Sequence, residues 1–250
     1  GAFIFGAAWA FIPAYLQAKR GSHVVITTIM FNFIASSLMV FLLVDVIRDM
    51  KQMGPHTVAL PKEIWFPTFK EFAALFGIKI RYSPLNISFL LAIAASFFVW
   101  FLVWKTKWGY EMRAVGHNMQ AAIYAGISPY KNIIIAMCIS GGLAGLLGIN
   151  EILGVHHKIV AGFPAGYGFT GIAVALMGRN HPIGIFPAAF LFGILYQGGS
   201  EVTFDMPNIT RYMFVAVQGV IILFSGALEN LFRPQIESFF VNRLNMKREI

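Results

Sequence analysis

The sequence predicts an all-α protein whose helices cross a membrane several times, and two observations indicate it. Hydrophobic residues make up 58% of the 250 residues and charged residues only 12%, whereas soluble domains contain roughly 45–50% and about 25%. The apolar residues also fall into runs of about twenty, the length of helix that crosses the core of a bilayer. A soluble domain of this size could not bury so much apolar surface, so hydrocarbon is the predicted solvent for most of the chain.

One transmembrane domain, residues 1–250, is predicted, with seven membrane segments at 1–16, 24–44, 85–104, 131–150, 159–178, 182–200 and 209–228. The first segment begins at Gly1, which is neither an initiator methionine nor part of a signal peptide with a charged leader. We therefore expect further helices upstream of this segment.

The long segment 45–84, between the second and third membrane segments, is predicted to be an outer loop. It contains four prolines, and a short surface helix is predicted near residues 69–76. More than half of the 19 lysines and arginines lie on the other side of the membrane, which includes 105–130 and the C-terminal tail. Cytoplasmic loops are enriched in these residues, so 105–130 is predicted to be cytoplasmic.

The segment 159–178 differs from the others because Pro164 and five glycines interrupt it. One interpretation is a broken or re-entrant helix, and the other is a single kinked helix. Irregular backbone at membrane depth occurs only where it is buried in protein or lines a watery cavity. The first interpretation would therefore make this segment part of a transport pathway.

Small residues at helix-packing spacing predict that the helices form a bundle. In lipid no hydrophobic effect drives helices together, and small side chains allow the close backbone contact that does. The predicted pairs are Ala2 with Gly6, Gly141 with Gly145, and Ala144 with Gly148.

The polar segment 109–128, GYEMRAVGHNMQAAIYAGIS, is predicted to hold a short helix in the cytoplasm. Asn118 is a favourable N-cap residue and Gly126 a favourable residue just past a helix end, which predicts a helix over 119–125. Gly116 is predicted to allow a sharp turn before this helix. A helix of two turns is unstable alone in water, so another surface must hold it.

The alanines of this short helix, Ala121, Ala122 and Ala125, form a compact face of methyl groups. Such a face fits a groove on another protein, as amphipathic helices commonly do. The residues leave a second interpretation equally open, in which the loop folds back on its own bundle.

The motif RAVGHNMQAAIYAGI resembles the coupling segment of permease subunits of bacterial ABC importers, in the branch that carries simple sugars, nucleosides and branched-chain amino acids. GSHVVITTIMFNFIA, GINEILGVHHKIVAGFPAGYGFTGIAVALMGRNHPIG and GALENLF are similar to the nucleoside permeases of that branch. One departure is Val24, where those permeases often have an acidic residue. The resemblance implies that the residues coupling the chain to an ATPase are Arg113, Gly116, Asn118, Ala121, Ala122, Ala125 and Gly126.

The resemblance also implies the fold and the partners of the chain. The fold is an importer permease bundle in the bacterial inner membrane, with a cytoplasmic coupling helix. The partners are an ATPase subunit, a second and different permease chain, and a periplasmic or lipoprotein solute-binding protein. The sequence contains no G-x-x-x-x-G-K-[ST] motif, so ATP and Mg²⁺ are expected on the partner ATPase and no cofactor on this chain. Nucleosides are the expected solutes, and a ribose- or galactose-type permease is the alternative.

Polar and aromatic groups inside the membrane segments are candidates for the solute pathway, because polar groups are costly at that depth. Amides and hydroxyls suit a neutral solute such as a nucleoside, and an aromatic ring could stack on a base. The alternative for each residue is a hydrogen bond to a neighbouring helix or to its own backbone. The candidates are Thr28, Asn32, Asn150, Glu151, Phe169 and Gln218.

Several other functions are disfavoured. The net charge of +8 is scattered rather than clustered, so no nucleic-acid partner is predicted. The single cysteine, Cys138, forms neither a disulfide framework nor a metal site. His156 and His157 are interpreted as surface groups without metal. Nearly every acidic residue lies in a loop or near the end of a segment, which disfavours an ion-coupled transporter, and no catalytic motif of a hydrolase or metalloprotease is present, so no catalytic residue is assigned.

Overall fold

The computed structural model describes residues 1–47, 54–70, 85–163, 166–206, 213–221 and 223–224. Helices dominate these ranges, and the only strand pairing within them is two isolated bridges, His56 with Val160 and Thr68 with Asn86. The prediction of an all-α fold is therefore confirmed. The GALENLF motif and most of the predicted helix at 69–76 lie outside the described residues.

Eight α-helices lie between residues 2 and 205 of the described ranges. They are α1 (Ala2–Arg20), α2 (Val24–Phe41), α3 (Ser88–Lys105), α4 (Lys107–His117), α5 (Met119–Tyr124), α6 (Pro129–Ile149), α7 (Tyr167–Met177) and α8 (Pro182–Asp205). Two of them continue into π-helical segments, α2 through Leu42–Val46 and α6 through Asn150–His156. Residues 213–221 are also helical and lie within the predicted segment 209–228.

Four helices among the described residues are long and apolar enough to cross a membrane: Val24–Val46, Ser88–Lys105, Pro129–His156 and Pro182–Phe204. They coincide with the predicted segments 24–44, 85–104, 131–150 and 182–200. The chain is therefore a multi-pass membrane protein. Helix α1 covers the predicted segment 1–16 except for Gly1 and extends past it through a polar last turn.

The chain divides into two compact units, 1–165 and 166–250. In the first unit, α1 and α6 pack closely along their lengths. A methyl group at Gly6 would overlap the carbonyl group of Gly141, and one at Gly141 would lie 2.6 Å from the Gly6 carbonyl oxygen. Gly145 has the same relation to the Ala2 carbonyl. These contacts confirm two of the three predicted pairs, whereas Gly148 has nothing within 4 Å among the described residues.

The ends of α1 and α6 also meet through aromatic side chains. The ring of Tyr15 contacts that of Tyr130 edge to face, with 6.4 Å between the centroids. The ammonium group of Lys19 donates to the Tyr15 hydroxyl at 3.0 Å, and this hydrogen bond raises the pKa of Lys19. Helix α1 ends just beyond, where Gly21 takes a left-handed φ of 65° and its N–H donates to the Gln17 carbonyl.

The predicted outer loop contacts the segment that follows α6. Leu60 N–H donates to the His157 carbonyl at 2.8 Å, and Phe66 N–H donates to the Leu153 carbonyl at 3.1 Å. The His157 ring stacks on Trp65 at 3.7 Å between centroids, with an interplanar angle of 9°. The interpretation as surface groups holds for His156, which is exposed, whereas His157 is half-buried because Trp65 covers its ring.

The second unit begins with a short helix. Helix α7 has 11 residues and is about 16 Å long at 1.5 Å per residue, roughly half of a bilayer core. It packs on α8 through a small core made of Ala173, Val174, Ala188 and Phe192. Upstream, residues 159–163 form a bridge and turns instead of helix. The segment 159–178 is thus not one kinked helix, which favours the interpretation of a broken helix.

Candidate functional site

The predicted cytoplasmic segment 109–128 contains two helices rather than one. Helix α4 covers Lys107–His117 and was missed, and α5 follows it. The missed signal was Thr106, whose hydroxyl oxygen accepts a hydrogen bond from Gly109 N–H at 3.2 Å and caps the first turn. The same hydroxyl donates to the Leu102 carbonyl at 2.6 Å. Thr106 thus joins the end of α3 to the start of α4.

Gly109 allows the sharp corner between α3 and α4. It is buried, and a methyl group at its Cα would overlap the carbonyl groups of Leu102 and Val103. A side chain at this position would have to push backbone aside, not the flexible end of a neighbouring side chain. The corner therefore fixes the direction in which α4 leaves the membrane helix.

We expect Gly109→Ala to loosen this corner, because overpacking against backbone costs about 1–3 kcal/mol. The measurement is protease cleavage within 105–128 of the purified full chain, which should become faster. The matched control is Gly116→Ala on the same helix, where a methyl group meets nothing within 4 Å. That control should slow cleavage slightly, since alanine stabilises a helix over glycine by roughly 0.5–1 kcal/mol. Equal cleavage of the two variants would contradict the packing argument.

The turn predicted at Gly116 is wrong, because Gly116 lies inside α4. The chain turns at Asn118, whose φ of −154° and ψ of 106° are extended. Asn118 ends α4, and its side-chain oxygen accepts a hydrogen bond from Ala121 N–H at 3.0 Å. Asn118 can satisfy a free N–H group of the next helix, whereas Gly116 keeps a helical conformation and does not take the positive φ with which glycine ends a helix. The prediction of Asn118 as N-cap is confirmed.

The end of α5 is closed by a Schellman motif. Gly126 has a φ of 76°, a conformation that favours glycine. Its N–H donates to the Ile123 carbonyl, and Ile127 N–H donates to the Ala122 carbonyl, both at 2.9 Å. The helical residues end at Tyr124, one earlier than predicted. The position of Gly126 just past the helix end is confirmed.

The alanines of α5 do not form one outward face. Ala122 is only 3% exposed and lies where α5 packs on α4 and α6. Ala121 and Ala125 are exposed. The interpretations of folding back and of projecting both apply, because one side of α5 packs on its own chain and the other does not.

The exposed side of α5 carries large apolar groups that the sequence analysis missed. Tyr124 is 92% exposed and Ile123 50% exposed. At 100° per residue Tyr124 lies about 200° around the helix from Ala122 and Ile123 about 100°, but this spacing alone could not show that Ala122 is the buried residue. Exposed apolar side chains on a capped helix form a surface suited to a protein partner.

A polar contact ties α4 to α6. The Asn132 side-chain amide donates to a Glu111 carboxylate oxygen at 3.5 Å and to the Ser128 carbonyl at 3.0 Å. Asn132 is 4% exposed, and Lys107 approaches the same carboxylate at 4.0 Å. Sequence reasoning overlooked Asn132, a single amide at the start of an apolar run. Arg113 donates to the Gly109 carbonyl within α4 at 3.4 Å.

Two predicted pathway residues, Thr28 and Asn32, line one cavity of about 330 Å³ between α1, α2 and α6. The Thr28 hydroxyl donates to the Val24 carbonyl at 2.8 Å, and the neighbouring Thr27 bonds the His23 carbonyl at 3.0 Å. Both threonine hydroxyls thus donate to their own helix, which is the alternative to a role in the pathway. Because a hydroxyl oxygen that donates one hydrogen bond can also accept, Thr28 keeps an acceptor at the cavity lining.

Asn150 and Glu151 lie together in the π-helical segment after α6. Asn150 donates to a Glu151 carboxylate oxygen at 3.2 Å and accepts a hydrogen bond from Ser88 at the start of α3. Glu151 is 7% exposed, and its second oxygen lies 3.6 Å from a ring nitrogen of His156. These two predicted pathway residues thus hold neighbouring segments together. No group of three metal-binding side chains occurs within the described ranges.

Phe169 and Gln218 belong to the second unit. Phe169 is 69% exposed on α7, and Gln218 is half-buried in the helix at 213–221. Near Phe169 the ring of Tyr167 contacts Tyr196 edge to face at 6.4 Å. In the first unit, by contrast, Thr28 and Asn32 line the same cavity, and Asn150 donates a hydrogen bond to Glu151.

Known proteins match the chain over most of its length. It is 36% identical over 220 residues to the guanosine ABC transporter permease protein NupP of Bacillus subtilis, covering 88% of this chain and 61% of that protein. It is 36% identical to the nucleoside ABC transporter permease protein NupB of Lactococcus lactis, covering 86% and 59%. A glucose ABC transporter permease protein of Haloferax volcanii is 32% identical over 252 residues, covering 98% and 64%.

The chain spans about three fifths of the length of these relatives. No solved structure matches it. A family model described as branched-chain amino acid transport system / permease component matches residues 1–226. This match covers all eight helices, α1 to α8. The chain therefore belongs to that permease family.

Proposed function

We propose that this chain is a transmembrane permease subunit of an ABC importer that moves nucleosides across the bacterial inner membrane. The observation that carries this proposal is the 36% identity to guanosine and nucleoside permeases of two bacteria. The polar side chains that line the described cavity are uncharged, which suits a neutral solute. The chain itself is a transport subunit, and ATP is hydrolysed with Mg²⁺ on a partner ATPase.

Helix α5 is the element that docks on the ATPase. Asn118 and Gly126 give it two closed ends, so it can present side chains without fraying. Tyr124 and Ile123, flanked by Ala121, form its exposed side, and a tyrosine of this kind commonly dominates an interface. Ala122 supports the helix from behind instead of touching the partner.

Movement of α5 is passed to the membrane helices through two contacts. The Gly109 corner joins α4 to α3, and the Glu111–Asn132 hydrogen bond joins α4 to α6. Because α6 packs closely on α1, a displacement of α5 moves this pair as one body. Closure of the ATPases would thus reorient the cavity between α1, α2 and α6.

The other proposed partners follow the family pattern. A second, different permease chain completes the pathway, and a periplasmic or lipoprotein solute-binding protein delivers the nucleoside to the outer side. The outer loop, held by His157 and Leu153 through backbone hydrogen bonds, is the described surface on that side.

A simple sugar is the second candidate solute. The observation that favours it is the glucose permease of Haloferax volcanii, at 32% identity and with 98% of this chain covered. Hydroxyl and amide side chains would bind a sugar as readily as the ribose of a nucleoside, so uptake must decide between the two.

We expect cells that carry the complete transporter to take up labelled guanosine, and cells that lack this chain to lose most of that uptake. Depletion of ATP should stop uptake, and collapse of the proton gradient at constant ATP should not. Glucose and ribose are measured in parallel. Uptake of glucose without guanosine would support the sugar permease, and uptake that depends on the proton gradient alone would contradict an ATP-driven importer.

A further inference from the structure

The cavity between α1, α2 and α6 brings together polar groups from facing helices. Asn32 and Thr28 approach it from α2, and Ser140 approaches it from α6. The side chains of Asn32 and Ser140 make no hydrogen bond to any described residue, and both residues are exposed. Since unpaired amides and hydroxyls are costly in hydrocarbon, a partner for both groups is expected within the cavity.

The wall on the α1 side adds a flat ring and an interruption in the helical hydrogen bonding. Trp9 lines the cavity and contacts Phe31 edge to face, with 6.0 Å between centroids at 71°. Pro13, one turn further along α1, has no N–H to donate to the Trp9 carbonyl. The carbonyl oxygen at this turn therefore lacks its usual helix donor.

The size and charge of the cavity restrict its ligand. Its volume of about 330 Å³ lies at the lower end of the roughly 300–1,000 Å³ typical of small-molecule sites. No lysine, arginine or histidine is among the described residues that line it. A phosphate group would find no cation here, whereas a neutral ring with hydroxyl and amide groups would find both donors and acceptors.

We propose that this cavity is a nucleoside subsite and that Asn32 selects the solute by hydrogen bonding to the base, with Ser140 opposite and Trp9 as the stacking wall. The proposal rests on the proposed function. Asn32 is the ninth residue of α2, about 12 Å from its first residue at 1.5 Å per residue. With the start of α2 at the cytoplasmic side, the subsite lies in the inner half of the pathway.

The test uses the complete transporter in cells, with Asn32→Leu as the main variant. We expect the KM for guanosine to rise about tenfold and the maximal rate to change less than about twofold, as when binding is lost equally in ground and transition states. Purine riboside, which lacks the oxygen and amino substituents of guanine, should be affected much less. The preference for guanosine over purine riboside should therefore shrink about tenfold, an effect that loosened packing would not produce.

Two further variants are measured for comparison with Asn32→Leu. Ser140→Ala should raise the KM for guanosine about threefold to tenfold. Ser37→Ala, which removes a hydroxyl from the same helix α2 outside the cavity lining, should leave the KM unchanged. An Asn32→Leu transporter with unchanged KM and unchanged preference would overturn the subsite while the proposed function stands.

If the Asn32→Leu variant does not reach the membrane, a labelling measurement tests the subsite instead. Ala35, which also lines the cavity, is replaced by cysteine in a Cys138→Ser background, and a membrane-permeant maleimide is added. Guanosine should slow labelling at least threefold, and an equal rate with and without guanosine overturns the subsite. If the cells import glucose and no nucleoside, the proposed function fails. Slower labelling with glucose would then retain the cavity as a solute subsite but not its assignment to nucleosides.

Discussion

Tyr124→Ala is expected to abolish most ATP-driven uptake while leaving the permease itself stable. The side chain is 92% exposed, so its loss should change the free energy of unfolding by less than about 0.5 kcal/mol. A tyrosine at the centre of an interface commonly contributes at least about 2 kcal/mol, which corresponds to an affinity roughly 30-fold lower. The measurements are co-purification of the ATPase subunit with the tagged permease, and guanosine uptake.

The matched control for this variant is Tyr110→Ala. Tyr110 is a tyrosine on the neighbouring helix α4 and is 62% exposed. We expect this control to keep ATPase association and uptake within about twofold of the original protein. Retained association in the Tyr124 variant, or equal loss in both, would show that α5 is not the docking element.

Gly141→Ala is expected to separate α1 from α6 and to lower the stability of the whole bundle. The added methyl group would lie 2.6 Å from the Gly6 carbonyl oxygen and would also overlap the Ala10 side chain. Neither neighbour can move without shifting a helix, so we expect a cost of about 1–3 kcal/mol. In detergent the Tm of the purified chain should fall by about 5 °C.

Gly148→Ala on the same helix is the control for this variant. A methyl group at Gly148 meets no described atom within 4 Å, and alanine favours helix over glycine by roughly 0.5–1 kcal/mol. The Tm of this variant should therefore stay level or rise. A similar fall in both variants would mean that glycine content, and not the α1–α6 contact, sets the stability of α6.

The sequence predicted the parts of this protein that depend on local interactions. In lipid a long apolar run must satisfy its own backbone hydrogen bonds, which it does by forming a helix. The helices that begin at Val24, Ser88 and Pro182 therefore lie where the apolar runs do. The caps of α5 were predictable for the same reason, because Asn118 and Gly126 act on backbone groups within three residues of themselves. The coupling segment was thus located from residues alone, and its first helix was missed only because the capping role of Thr106 was overlooked.

Only the tertiary structure decided which side chains of these elements are available. Whether Ala122 or Tyr124 faces outward depends on how α5 packs against α4 and α6, and no spacing within α5 contains that information. In the same way Asn150 is engaged by Ser88, 62 positions away in the chain, whereas Asn32 faces a cavity. Helical periodicity determines which side chains are neighbours along one helix, whereas the positions of the other helices determine which of those side chains are buried. The sequence by itself therefore determined the membrane helices, their caps and the family resemblance, and the packing of the helices decided which polar and apolar groups remain free to act.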